Sequence, residues 1–168
     1  MAAIGAPVFA VGQYSVTFDS VAVGLMQGEE GVPTLIPKTY AHEVNNTDAW
    51  GKMLIESFTL GADWQCQFTM MEYKAATLSV LWPFAAALGT LPGFGLAYTA
   101  LAQVLVLTAV TGTPAATAGP VTITATLAIL ARNFTGKLMF GPMVRTIPVL
   151  LDLYPYVNSE NNVHFINT

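Results

Sequence analysis

A nucleophile, a base and metal-binding side chains all occur in this chain, but not at spacings that assemble one site. The two histidines, His42 and His164, are separated by most of the sequence, and Cys66 is the single cysteine. Zinc centres draw Cys and His ligands from short, regular spacings, which this set lacks. Cys66 lies in an alternating apolar run with no basic neighbour to lower its pKa, so it reads as a small buried side chain. Each histidine reads as a surface or core-edge residue rather than a base. Carboxylates could pair as Glu29 with Glu30 or Asp48 with Glu56, yet Glu29-Glu30 sits on a glycine-flanked loop and reads as a solvated tip. Gly93-Phe94-Gly95 resembles part of a dinucleotide fingerprint but lacks the third glycine and the following acid, and no phosphate-loop sequence occurs. Trp64 and Trp82 fall on apolar faces and read as core. Trp50, placed in a turn, would be an interface anchor if exposed. The expectation is a chain that is not an enzyme and carries no metal or cofactor.

The strongest clue is the scarcity of charge. The sequence has 168 residues, enough for one domain with a sizeable core. Its ionic side chains make up 10% of the chain, where an average domain of this length carries roughly 25%. Mean hydropathy is +0.55. Soluble monomers usually keep a well-charged surface, so either a membrane or protein partners must cover much of this exterior.

A membrane-spanning helix needs about 20 predominantly apolar residues. The stretch from Lys74 to Arg132 has no charge between those two residues, but Pro83, Gly89, Pro92, Gly93, Gly95, Gly112, Pro114, Gly119 and Pro120 interrupt it. No membrane association is therefore expected. A net charge of −4 and six scattered basic residues argue against direct binding to nucleic-acid phosphates. The start, Met1-Ala-Ala-Ile-Gly-Ala-Pro7, has neither a basic region nor a sustained apolar run, so it does not read as a secretory signal.

Positioning these residues falls mostly to strands. Residues 1–12 read as an extended N-terminal arm of one domain spanning 1–168. Tyr14, Val16 and Phe18 alternate with polar neighbours, and the parity switch after Asp19-Ser20 predicts a bulge or tight turn. Residues 27–33 read as a polar loop. A strand over 35–44 carries Pro37, which suggests a sheet edge. Asn45-Asn46-Thr47-Asp48 reads as a turn, 53–60 as a strand ending at Gly61, and 64–70 as the cleanest alternating strand of the first half.

Leu78, Leu81, Trp82 and Ala85 have helical spacing and predict one amphipathic helix over 74–82. Further strands are predicted over 103–110 and 121–129, the latter with Val121, Ile123, Ala125, Leu127 and Ile129 on one face. The last are one with Ile147, Val149, Leu151 and Leu153 on a face, and a short one at Val163 and Phe165. Seven to nine strands and a helix predict a mainly β fold, a sandwich or barrel with a flanking α-helix.

The order of these segments resembles major tail tube proteins of tailed bacteriophages and related tail-like particles. The matching stretches are Tyr14-Ser-Val-Thr-Phe-Asp-Ser-Val-Ala-Val-Gly24, the loop at 27–33, the strand Tyr40–Val44 and Asn46-Thr-Asp-Ala-Trp-Gly51. They continue with Phe58-Thr-Leu-Gly-Ala-Asp63, the strand at 64–73 leading through Glu72 into the helix, and Ile147-Pro-Val-Leu-Leu-Asp-Leu-Tyr154. The resemblance implies a structural virion protein whose copies join edge to edge into six-fold rings. Rings would stack into a tube together with other tail proteins, within a phage tail assembled in the host cytoplasm. DNA would pass through the lumen without specific binding.

With −4 per copy, a six-fold ring would carry about −24, a field that keeps phosphates off the wall. Asp19, Glu56, Asp63 and Glu72 are candidates for acids facing that lumen. Gly28, Glu29, Glu30 and Gly31 on the loop, and Asn46, Asp48, Trp50 and Gly51 at the turn, are candidates for contact between subunits. Alternatives are another phage structural protein, such as a tail terminator, baseplate or head-decoration protein, or a carbohydrate-binding adhesion module.

Overall fold

The computed structural model describes residues 13–24, 32–48, 51–71, 75–78, 81–82, 95–111, 119–134 and 146–168. The expected arm at 1–12, most of the loop at 27–33, Trp50 and Glu72 lie outside the described residues. The fold is mainly β with short helices. Seven strands form one antiparallel sheet in the order β2-β1-β5-β6-β7-β4-β3, and β8 and β9 pair as a separate hairpin.

The chain enters through β1 (Tyr14–Phe18), whose alternation buries Val16 and Phe18 and leaves Ser15 exposed. The parity switch is a tight turn. Asp19 and Ser20 both take left-handed backbone, with φ of 49° and 63°. Phe18 then faces Val21, and β2 (Val21–Ala22) folds back on β1. A two-residue turn with positive φ at both positions matches the twist of the strands it joins, but a side chain is strained there. Ser20→Gly is therefore expected to stabilise the fold by roughly 0.5–1 kcal/mol, read as a higher urea midpoint at unchanged slope.

The longest strands are β3 (Thr34–Asp48) and β4 (Gly51–Met70). They pair along their whole length, and two sequence readings change as a result. Asn45 to Asp48 form strand rather than turn, facing Leu54 to Gly51, so the chain reverses between Asp48 and Gly51. The strands read at 53–60 and 64–70 are one, because Gly61 keeps extended pairing opposite Tyr40 instead of ending the element. Two bulges relieve the length of this ribbon, at Leu60 and at Ile55, each left without an opposite residue on β3. Pro37 lies on β3, the outermost strand of the sheet, as a residue without an N–H donor suggested.

After β4 come α1 (Ala75–Leu78) and the buried Leu81. Thr77 and Leu81 are buried four positions apart, while Leu78 and Trp82 are half-buried. Helical structure thus occurs where the periodicity predicts it; Ala85 lies outside the described residues. A second short helix not read from the sequence, α2 (Tyr98–Leu101), precedes β5 (Gln103–Ala109) and packs against β6 (Thr122–Leu130). β7 (Ile147–Tyr154) pairs with both β6 and β4. β8 (Tyr156–Val157) and β9 (Val163–His164) close the chain, and Asn167 exchanges both backbone hydrogen bonds with Thr124 at the flank of β6.

One face of the sheet carries the core. Rows of partners run across it: Phe18, Leu105 and Ala125; Ala128, Leu153 and Trp64; Leu130, Leu151 and Cys66; Val149 and Phe68; Ile147 and Met70. Leu81 joins this cluster, and Leu78, Phe134 and Ile166 pack against it. The single face read for Val121 to Ile129 needs correction. Between the Ala125–Leu105 and Ala128–Gln103 pairs, Thr126 and Leu127 of β6 stand against Val104 alone on β5, which bulges the strand and flips its parity. Ala128 and Leu130 therefore enter the core cluster, whereas Leu127 and Ile129 do not; Ile129 is buried outside that cluster.

Candidate functional site

The sheet's second face is where the charge of this chain gathers. β3 places Ile36, Lys38 and Tyr40 there, opposite Gln65, Asp63 and Gly61 on β4, and Asp152 of β7 lies next to Gln65. Lys38 Nζ donates to Gln65 Oε1 at 2.6 Å, and Gln65 Nε2 donates to Asp152 Oδ1 at 2.7 Å. The other oxygen of Asp152 accepts from the Arg132 backbone N–H at 3.3 Å and faces Arg132 Nε at 3.4 Å. Tyr40 donates its hydroxyl to Asp63 Oδ2 at 2.7 Å. These side chains, with Trp64, Asn133, Tyr154 and Pro155, line an open groove of about 440 Å³.

Lys38, Gln65 and Asp152 are aligned by strand pairing and Arg132 follows the end of β6, so the row forms a clasp across β3, β4 and β7. The charges cancel: two cations meet two carboxylates. The hydrogen bond to Asp63, reinforced by the carboxylate's charge, raises the Tyr40 phenol above its ordinary value near 10. Tyr154 is raised as well, chiefly by burial. Neither shift readies a group for proton transfer near neutral pH.

Asp152 is the keystone. Its side chain is 13% exposed against 67% for Arg132. Asp152→Ala strands the Gln65 amide and the Arg132 N–H together, so a loss of about 2 kcal/mol is expected. Arg132→Ala removes one exposed ion pair and is expected to cost about 0.5 kcal/mol or less. Urea unfolding of the two variants side by side checks this ordering.

Where the clasp ends, the sheet narrows to a ribbon. β7 covers β4 over Trp64 to Met70 only, so from Gly51 to Asp63 β3 is the one strand beside β4 among the described residues. Residues 39–44 and 56–61 are exposed throughout. The bulge at Leu60 decides what this ribbon presents. Phe58 shares sequence parity with the core residues Trp64, Cys66, Phe68 and Met70, yet its partner is His42, which stands on the outer face with Lys38 and Tyr40. The outer face of the ribbon thus carries Tyr40 (48% exposed), Val44 (38%) and Phe58 (58%), with Leu60 (70%) at the bulge. Solvent meets a run of large apolar side chains there.

The candidates from the sequence are placed apart. Asp19 is in the β1–β2 turn, where its backbone N–H donates to Val104, at the far side of the sheet from the ribbon. Glu56 is exposed on the ribbon, and Asp63 belongs to the clasp. Asn46, Asp48 and Gly51 lie at the ribbon tip by their pairing. Gly28, Glu29, Glu30, Gly31, Trp50 and Glu72 fall outside the described residues.

His42 is exposed on β3, while His164 contacts Asn158 at 3.2 Å in the β8–β9 hairpin. Cys66 is buried, and burial pushes its thiol up to about 12. Among the described residues no group of three or more His, Cys, Asp or Glu is placed to hold a metal ion, and no helix is long and apolar enough to cross a membrane. Sequence reading missed the clasp. Its members are spaced from 38 to 152, and only the strand order brings them together.

No known family profile matches the chain, and no curated protein matches it significantly. Solved structures with some likeness come from contractile injection particles. A sheath/tube terminator of an extracellular contractile injection system, PVC, in its extended state, overlaps 99% of this chain and 100% of its own at 9% identity and a TM-score of 0.44. The tube-terminating cap of the anti-feeding prophage overlaps 100% and 99% at 10% identity and 0.45. The PVC sheath-tube complex in the extended state overlaps 98% and 94% at 10% identity and 0.43.

Proposed function

We propose that this chain is a structural subunit of a tailed phage or related tail-like particle, one that forms a ring of the tail tube by self-association. The observation that supports this most is the projecting β3–β4 ribbon. A two-stranded ribbon is marginally stable in water unless something packs on it. Among the described residues its β3 edge and its β4 edge before Trp64 meet no further strand, and it carries Tyr40, Val44, Phe58 and Leu60 on its surface. Exposed strand edges with apolar side chains are aggregation hazards in a monomer, and a closed ring of identical copies turns them into a defined joint. The scarcity of charge fits the same arrangement, because surfaces between subunits lack the ionic side chains that a solvated surface needs.

In this reading the clasp at Lys38, Gln65 and Asp152 sets the angle at which the ribbon leaves the sheet. Six-fold rings and a DNA-conducting lumen are its further parts. Two places in a tube suit such a subunit: the repeating wall, or the terminal ring that ends the tube. They differ in whether one or both faces of the ring accept another ring. Negative-stain electron microscopy of the purified chain tests the proposal. Open-ended tubes assign the wall, single rings assign the terminal position, and a monodisperse monomer at high concentration rejects both.

A further inference from the structure

We infer that the groove beside the clasp is the receiving half of the joint, and that its Arg132 takes the Glu56 carboxylate from the ribbon of a neighbouring copy. This rests on the self-association proposed above and names the surface that meets the ribbon. A ring of identical copies joined head to tail needs two different surfaces on each copy, one projecting and one receiving. The ribbon supplies the first. Two-stranded ribbons twist more than wide sheets, and the bulge at Leu60 adds to the twist, so the face at Glu56 is turned relative to the clasp.

The receiving surface is argued from shape and charge. The groove of about 440 Å³ has Tyr40, Trp64, Tyr154 and Pro155 among its walls. An aromatic-lined hollow with an arginine suits a knob that sets an aromatic ring beside a carboxylate. Among the described residues the ion pair of Arg132 is to Asp152, through Nε at 3.4 Å, and its side chain remains 67% exposed. A guanidinium has several N–H donors in a planar fork, so one oxygen of Asp152 leaves most of them for a second carboxylate.

Glu56 is the matching acid. It pairs with Val44 on the outer face of the ribbon, which also carries Tyr40 and Phe58, whereas Glu43 pairs with Ser57 on the other face. The Glu56 carboxylate accepts the N–H of Ser57 at 3.1 Å, and among the described residues no cation pairs with it. Arg132 of the same copy is out of reach. Glu56 lies about 20 Å further along the ribbon than Asp63, which lines the groove. The cation that Glu56 meets therefore comes from another copy.

Charge exchange tests the pair. Glu56→Arg and Arg132→Glu are made in separate chains, and sedimentation velocity over a concentration series is run on each alone and on their equimolar mixture. In either variant alone like charges meet across every joint, and self-association is expected to weaken about tenfold or more. In the mixture each ribbon finds a groove of opposite sign, and association is expected to return to within about threefold of the unaltered chain. Circular dichroism checks that both variants are folded. Should Arg132→Glu unfold the domain through its nearness to Asp152, Glu56→Ala and Arg132→Ala replace the reversals. Losses that do not multiply when those two are combined support the pair, and losses that multiply overturn it.

Full association of either reversed chain alone, or a mixture of folded variants that associates no better than its parts, overturns the inference. The proposed function then stands wherever the unaltered chain forms rings or tubes. An unaltered chain that stays monomeric at high concentration overturns the two together.

Discussion

Placing charge on the ribbon, with Phe58→Glu and Leu60→Lys in one chain, is expected to leave the domain folded and reduce self-association at least a hundredfold. Both side chains are largely exposed in the isolated subunit, so substitution there changes stability by about 0.5 kcal/mol or less. Association is a different matter. If the outer face of the ribbon is covered in the assembly, each new ionic group must lose its water without a built partner, at a cost of several kcal/mol. A loss of 2.8 kcal/mol already weakens binding about a hundredfold. Sedimentation velocity over a concentration series, with circular dichroism as the folding control, measures the two effects separately. Unchanged assembly of a folded double variant would remove the ribbon as the joint.

The second large effect lies in the core. Phe68 is fully buried, faces Val149 across the β4–β7 ladder, and belongs to the cluster with Cys66, Met70 and Leu151. Phe68→Ala removes a ring from a site walled by pleated strands, which have little freedom to collapse into the void. An expected loss of about 3–5 kcal/mol follows. For a chain of this size that lowers Tm by roughly 10 °C. Since domains of this kind are stable by only about 5–15 kcal/mol, part of the population would be unfolded at growth temperature. Assembly should fall in proportion to that unfolded fraction, in contrast to the ribbon variant, whose monomer remains intact. Thermal melts of dilute protein, where association does not contribute, distinguish the two.

The contrast shows how differently the two features are encoded. Core strands are legible because burial on one face imposes a period of two. Tyr14-Val16-Phe18, Cys66-Phe68-Met70 and Ile147-Val149-Leu151-Leu153 show it directly, and each is found as a strand with that face buried. Asp19-Ser20 announced a change of direction because parity broke there, and Pro37 announced an edge because a ring nitrogen cannot donate. The mainly β character was likewise present in composition, in abundant β-branched and apolar residues, and the scarcity of ions is what motivates the proposed self-association.

What the amino-acid order left undetermined is how strands align. A bulge adds one residue on one strand and reverses every side chain beyond it, without any residue type that demands it. Leu60 turns Phe58 from the core parity to the outer face, and the extra residue in β6 moves Ala128 inward in place of Leu127. Asn45 to Asp48 look like a turn by side chain, yet they pair as strand because Gly51 to Leu54 lie opposite them. The clasp from Lys38 through Gln65 to Asp152 and Arg132 is invisible along the chain, since its members become neighbours only when β3, β4 and β7 lie side by side. Periodicity fixes which face of a strand is apolar, a local matter of pleat and burial. Register and strand order, settled by the fold as a whole, decide which of those faces meets water, and with it which surface is open to the proposed association.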